Sequence, residues 1–200
     1  MTSATSLYSL WLEPPGGALL SKTSGFIKQS ASHSGARCPL FEPHVTLAGG
    51  FVGTEDEARA LCTSVVTTLA STTGHLRCDA VEVTCGDRYH QCVYIAMKPT
   101  YELLKAHELA AVAFGVAPGN GNGTPYMPHL SLVYGDLTSS ERRVLANEAK
   151  HTLFGDTQHD VTSVGSFRVD KVSLWRTDAA DLSCASWKRV EIYPLRRMPA

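Results

Sequence analysis

The chain carries little charge and no surplus of either sign. Charged residues make up 18% of it, eighteen Lys and Arg against nineteen Asp and Glu, for a formal net charge of -1. Coating a phosphate polymer requires concentrated positive charge, so stable binding to a long nucleic acid is not expected. Long apolar runs are also missing. None approaches the roughly 20 residues that cross a bilayer, which argues against membrane insertion. Met1–Thr5 contains no basic residue, and Leu7–Leu12 behind it is too short for a signal-peptide core. The expected location is therefore the cytoplasm. The six cysteines (Cys38, Cys62, Cys78, Cys85, Cys92, Cys184) form no Cys-x-x-Cys pair and do not cluster with histidine, so neither a structural zinc nor any other metal is expected. Cys85 and Cys92 sit where a hairpin would bring them together; the rest read as buried thiols.

What is present suits a single domain over residues 1–200. Hydrophobic residues make up 44%, enough for a substantial core. Leu7–Leu12 reads as a strand stopped by Pro14-Pro15-Gly16-Gly17, Ala18–Gln29 as a helix, and Phe41–Leu47 as a strand. Thr54-Glu55-Asp56-Glu57 has the form of a capping box and opens a helix through Leu61, Val65, Val66 and Leu69. Leu76–Thr84 and Cys92–Met97 form a hairpin turning at Gly86-Asp87. Pro99 and Thr100 start a helix reaching Phe114. A strand at His129–Tyr134 follows, then a second capping box at Thr138–Glu141 with a helix to Leu153. Strands at Val161–Trp175 and Trp187–Tyr193 close the chain. The glycine-rich run at 118–123 lacks a Gly-Lys-Ser/Thr ending and precedes a strand, so it reads as a connector. Lys188, Arg189, Arg196 and Arg197 read as a solvated basic face.

Two stretches echo each other. Pro43-His44-Val45-Thr46-Leu47 is matched by Pro128-His129-Leu130-Ser131-Leu132. With one residue skipped, the match continues from Thr54, Glu57, Arg59 and Leu61 to Thr138, Glu141, Arg143 and Leu145. Side chains alternate along a strand, so His44 and Thr46 share one face while Val45 and Leu47 share the other. The same holds for His129 and Ser131 against Leu130 and Leu132. Two such strands related by a dyad enclose two imidazoles and two hydroxyls. That set suits phosphoester hydrolysis without metal: one imidazole takes a proton from water, the other gives one to the departing alkoxide, and the hydroxyls bind phosphoryl oxygens. His33, His75, His90, His107, His151 and His159 lack the pattern and read as surface or packing residues.

At these residues the sequence resembles the two-histidine phosphoesterase superfamily, with its paired His-x-Thr/Ser motifs, and more narrowly the plant- and fungal-type cyclic phosphodiesterases. Tyr8-Ser9-Leu10-Trp11, Phe41–Thr46, Gln91-Cys92-Val93 and Thr124–Tyr134 carry the likeness. It implies an α+β fold of two pseudo-symmetric lobes, each an antiparallel sheet backed by helices, around a central groove. It implies hydrolysis of ADP-ribose 1″,2″-cyclic phosphate and of nucleoside 2′,3′-cyclic phosphates, without cofactor, by a monomer whose partner is one small cyclic-phosphate nucleotide. His44 and His129 become the acid–base pair, with His129 activating water, and Thr46 and Ser131 the phosphate ligands. Trp11, Tyr134 and Tyr89 become stacking residues for base or ribose. Tyr134 has the wrong parity for the His129 face, so it needs a strand end or bulge. The segment Arg88-Tyr89-His90 departs from the family's aromatic run. An RNA end-processing relative and a non-catalytic cyclic-nucleotide binder are the alternative readings; the neutral charge and the two titratable imidazoles weigh against them.

Overall fold

Two copies of one β-α-β-α unit supply most of the architecture. The computed structural model describes residues 4–33, 37–72, 76–119, 124–155 and 158–195. Most of the glycine-rich run, His75, the side chain of His159, and Arg196 with Arg197 lie outside them. The first copy is β1 (Ser6–Leu12), α1 (Ala18–His33), β2 (Val45–Gly53) and α2 (Glu55–Thr72). After β3 (Arg77–Cys78), β4 (Ala80–Cys85) and a single 3-10 turn at Tyr89–Gln91, the second copy follows: β5 (Val93–Met97), α3 (Tyr101–Ala113), β6 (His129–Val133) and α4 (Ser139–Phe154). The chain then adds α5 (Gln158–Val164), β7 (Phe167–Arg168), β8 (Lys171–Arg176) and β9 (Lys188–Pro194).

The strands form a seven-stranded sheet in the order β4-β5-β6-β2-β1-β8-β9, with every neighbouring pair antiparallel. Apart from β9 at one edge, the order is symmetric about the β6/β2 junction, where β5 corresponds to β1 and β4 to β8. Across the same dyad β3 pairs with β7, Arg77 to Arg168 and Cys78 to Phe167. The two lobes are thus halves of one sheet. Within that sheet they meet at a single ladder pair, Val45 with Leu130.

Both capping boxes close as their sequences require. The Glu57 amide donates to Thr54 Oγ1 at 3.3 Å while the Thr54 amide donates to Glu57 Oε2 at 2.8 Å, and Thr138 with Glu141 repeats the pair. Behind the junction Val45, Leu47, Leu130 and Leu132 are each 0% exposed. Helix α3 of one half packs on β2 of the other, and α1 on β6. Full burial of each such side chain is worth about 1.5–3 kcal/mol, so this crossed packing holds the halves in register although β2 and β6 share one ladder pair.

Several boundaries differ from the sequence expectation. The strand expected at Phe41–Leu47 begins at Val45 and runs to Gly53; Pro43 has no N–H to give a ladder, and Phe41 packs its ring on Tyr134. The expected strand from Leu76 breaks at Asp79 into β3 and β4. The strand expected at Val161–Trp175 starts at Phe167, because Gln158–Val164 is helical. Val161 is fully buried there, and tertiary packing overrides the weak preference of β-branched residues. Cys85 pairs in register with Val93, and all six thiols are free.

Candidate active site

The register at the junction builds the site. Extending the Val45–Leu130 pair by one residue each way sets His44 opposite Ser131 and Thr46 opposite His129. Opposed residues in an antiparallel pair point the same way, so all four polar side chains stand on the face away from Val45 and Leu130. Each hydroxyl thus faces the other motif's imidazole.

Local backbone geometry sets the ring tautomers. His44 Nδ1 donates to the Glu42 carbonyl at 2.6 Å, and His129 Nδ1 donates to the Met127 carbonyl at 2.9 Å. A backbone carbonyl accepts only, so both Nδ1 atoms carry hydrogen and each Nε2 keeps its lone pair when the ring is neutral. The same two-residue reach in both copies follows from Pro43 and Pro128, whose fixed φ and missing N–H hold the chain extended ahead of each strand.

The surroundings of the two rings differ. Trp11 pairs with Thr46 across β1 and β2 and stacks on His44 with ring centroids 3.4 Å apart and planes 3° from parallel. Trp175 covers its other face at 4.1 Å. At the equivalent place Tyr94 pairs with Ser131 and meets His129 edge-on at 5.1 Å. His44 is 2% exposed, and burial pushes its pKa down to about 3, with His129 and His90 adding to the shift. His129 is also lowered by burial, but the carbonyls of Met127 and His90 work against the shift by favouring its protonated form.

Two cavities open on this face. One of about 570 Å³ is bordered by His129, Gln91, Arg88 and Met127, and one of about 260 Å³ by His44, Trp11 and Trp187. Thr46, Gly49, Gly50, His90 and Tyr134 line both, making them two ends of one groove. Ser131 lines neither end of the groove: it is 2% exposed and donates to the His90 carbonyl at 3.4 Å. Among the described residues no group of three His, Cys, Asp or Glu side chains is disposed to hold a metal ion.

The aromatic residues are placed differently from the sequence expectation. Trp11 has both faces covered and 2% exposure, leaving no surface on which a ligand ring could stack. Tyr134 does lie just past the end of β6, and its hydroxyl donates to His44 Nε2 at 3.4 Å, while Phe41 occupies its face at 3.8 Å. Tyr89 lines neither end of the groove and instead donates its hydroxyl to the Leu182 carbonyl at 2.6 Å.

One groove residue, His90, and one neighbour of His129, Tyr94, were missed. His90, read from sequence as surface or packing, stands between the two ends and meets Tyr134 edge-on at 4.9 Å. Its position next to Gln91-Cys92-Val93 was the available signal. Tyr94 was legible only through the dyad, as the counterpart of Trp11. His107, also read as packing, is a buried clamp: Nδ1 donates to the Leu47 carbonyl at 2.7 Å while Nε2 accepts from the Gly119 amide at 2.8 Å. It ties the loop after α3 to the groove wall.

Burial of His44 couples folding to pH. A base whose pKa is lowered in the folded state binds its proton only after unfolding. Stability is therefore full above the ordinary imidazole value near 6.5 and falls as pH drops toward 3. Each such group contributes a slope of at most about 1.4 kcal/mol per pH unit. Urea midpoints measured between pH 6.5 and 5, above the range of most carboxylates, are expected to fall in the wild type and less steeply in His44→Gln. Parallel slopes would contradict a neutral buried ring.

A model of the family described as cyclic phosphodiesterase-like protein matches residues 7–191. A cyclic phosphodiesterase of Arabidopsis thaliana is 34% identical over 154 residues, covering 77% of each chain. A cyclic phosphodiesterase of Triticum aestivum is 61% identical over 33 residues, covering 16% of this chain and 63% of that one. Among solved structures, E. coli LigT complexed with 3′-AMP superposes with a TM-score of 0.57 at 16% identity, over 96% of this chain and 98% of that one. LigT complexed with ATP gives 0.55 at 15%, over 97% and 99%. At that identity the structural likeness speaks for the fold.

Proposed function

This chain belongs to the cyclic phosphodiesterase-like family of two-histidine phosphoesterases, and on that premise we propose that it hydrolyses cyclic phosphates on ribose through His44 and His129. The substrates are ADP-ribose 1″,2″-cyclic phosphate, opened to the 1″-phosphate, and nucleoside 2′,3′-cyclic phosphates, opened to 2′-phosphates. The crossed pairing that faces each imidazole with the other motif's hydroxyl carries this reading.

The phosphoryl group sits between Thr46 and Ser131, whose hydroxyls donate to its non-bridging oxygens as charge builds there. A neutral imidazole takes a proton from the attacking water. A new P–O bond forms, the bond to the ribose oxygen breaks, and the second imidazole, protonated, delivers a proton to that oxygen. Burial supports an order for the pair. The ring that resists protonation more strongly, His44, acts as base. His129, with carbonyls favouring its charged form, acts as acid. This reverses the order expected from the sequence. His44 Nε2 takes the proton as its long hydrogen bond from the Tyr134 hydroxyl is given up, and Trp11 holds that ring by stacking, not by touching substrate.

The test is incubation of the purified protein with a panel of cyclic phosphates, free and at oligonucleotide ends, with products identified by phosphorus NMR. We expect 1″- and 2′-monophosphates and equal rates with and without EDTA. Recovery of unchanged cyclic phosphate, or loss in EDTA that added metal restores, contradicts the reading. Both imidazoles being lowered, kcat/KM is expected to fall with rising pH from a point below the ordinary histidine range, as the acid loses its proton.

A further inference from the structure

Beyond the wall formed by Trp11 and Trp187 lies a second cavity of about 450 Å³ whose chemistry differs from the groove's. We propose that it is a nucleotide subsite that receives the diphosphate and base at the far end of an ADP-ribose substrate. This rests on the functional reading above and extends it from the reacting phosphate to the rest of the molecule.

Three cationic side chains line the cavity, Lys28 from α1 and Lys188 and Arg189 from β9, against one exposed carboxylate, Glu42. Arg189 is prearranged. It donates to Glu13 Oε2 at 3.1 Å and lies over Trp175, 5.0 Å from the ring centroid. Glu13 itself is buried, and its other oxygen accepts from Ser173 Oγ at 2.5 Å and Trp175 Nε1 at 3.1 Å. A guanidinium presents five N–H groups, so the pair leaves donors that a phosphate can take in forked geometry. Glu13 offsets the charge of Arg189, and Lys28 with Lys188 against Glu42 leaves one net positive charge to attract an anion.

Trp187 supplies the aromatic surface and the connection to the groove, since it lines both the second cavity and the His44 end. Its Nε1 donates to the Asp178 carbonyl at 2.9 Å. The loop carrying it is tied by Asp181, which accepts from the Ser183 and Ser186 hydroxyls, and by Tyr89 through Leu182. A fixed, partly exposed indole beside lysine and arginine suits a purine with an attached phosphate. A mononucleoside cyclic phosphate engaged at the catalytic groove has no diphosphate arm to reach those cations.

The experiment uses ADP as a probe without a cyclic phosphate, titrated calorimetrically into the wild type and the charge-reversed variant Lys28→Glu/Lys188→Glu, whose two sites are exposed. Steady-state kinetics on ADP-ribose 1″,2″-cyclic phosphate and 2′,3′-cyclic AMP run in parallel. We expect Kd for ADP and KM for the ADP-ribose substrate to rise about tenfold or more, the scale of one lost charged contact. kcat should hold, and KM for 2′,3′-cyclic AMP should change less than about twofold on the same scale. Unchanged ADP affinity in the variant overturns the subsite, as does an equal loss on both cyclic substrates. If the wild type turns over neither substrate, the hydrolytic reading fails, while the ADP titration still decides the subsite.

Discussion

Alanine at His44 or at His129 is expected to lower kcat/KM on cyclic phosphates by about 10²–10⁴-fold, the usual contribution of one positioned acid or base. The double variant should fall little further, because groups acting in one step are not additive. A phosphodiester with a nitrophenolate leaving group separates the two roles. Such a group departs without a proton, so loss of the acid costs little on it while loss of the base costs nearly as much as before. With His129 as acid, His129→Ala recovers most of its deficit on the activated diester and His44→Ala does not. Recovery by His44→Ala instead would restore the order expected from the sequence. Undiminished hydrolysis by the double variant would remove both rings from the chemistry. Circular dichroism should be native-like for His129→Ala, whose ring lines the groove; His44→Gln provides the check for the more buried site.

The second large effect is expected at Trp11. Its indole lies between His44 and Trp175, so Trp11→Ala opens a cavity in an aromatic stack and should cost about 3–5 kcal/mol of stability. A packing residue would do only that. The stack also keeps His44 dry and aligned with Tyr134, so two further changes are expected: kcat falls, and the His44 pKa, followed by NMR, climbs from about 3 toward the ordinary value as water enters. Trp11→Phe should restore much of both. A stability loss with kcat and the His44 titration unmoved would reduce Trp11 to packing alone.

The four polar groups at the centre were legible because strand periodicity is local. In Pro-His-Val-Thr-Leu the alternation itself separates His44 and Thr46 from Val45 and Leu47, and repetition of the pattern at Pro128–Leu132 lifts it above coincidence. Both capping boxes were legible for the same reason, since every bond in them spans three residues. The residues missed depend on strand pairing. Tyr94 joins the site because it pairs with Ser131, and His90 because its turn crosses the groove between the two motifs. The upstream half of the duplication, β1-α1 against β5-α3, was hidden because packing against the sheet requires apolar character and length but no shared residues.

Three aromatics were expected to stack on a ligand; Trp11 and Tyr134 line the groove with ring faces already covered, and Tyr89 lines neither end of it. Sequence says that Trp11, Tyr134 and Tyr89 are large and ringed. It does not say which face is already covered, and Trp175, Phe41 and the Leu182 carbonyl settle that from distant parts of the chain. The sequence alone determined the chemistry available to this protein: two imidazoles and two hydroxyls, each pair placed on one face by the period of a strand. Tertiary structure decided how strongly burial lowers each imidazole, because that depends on how much water the surrounding elements exclude. It also decided that the halves would meet at Val45 and Leu130, since register across a dyad is set by the packing of both halves together.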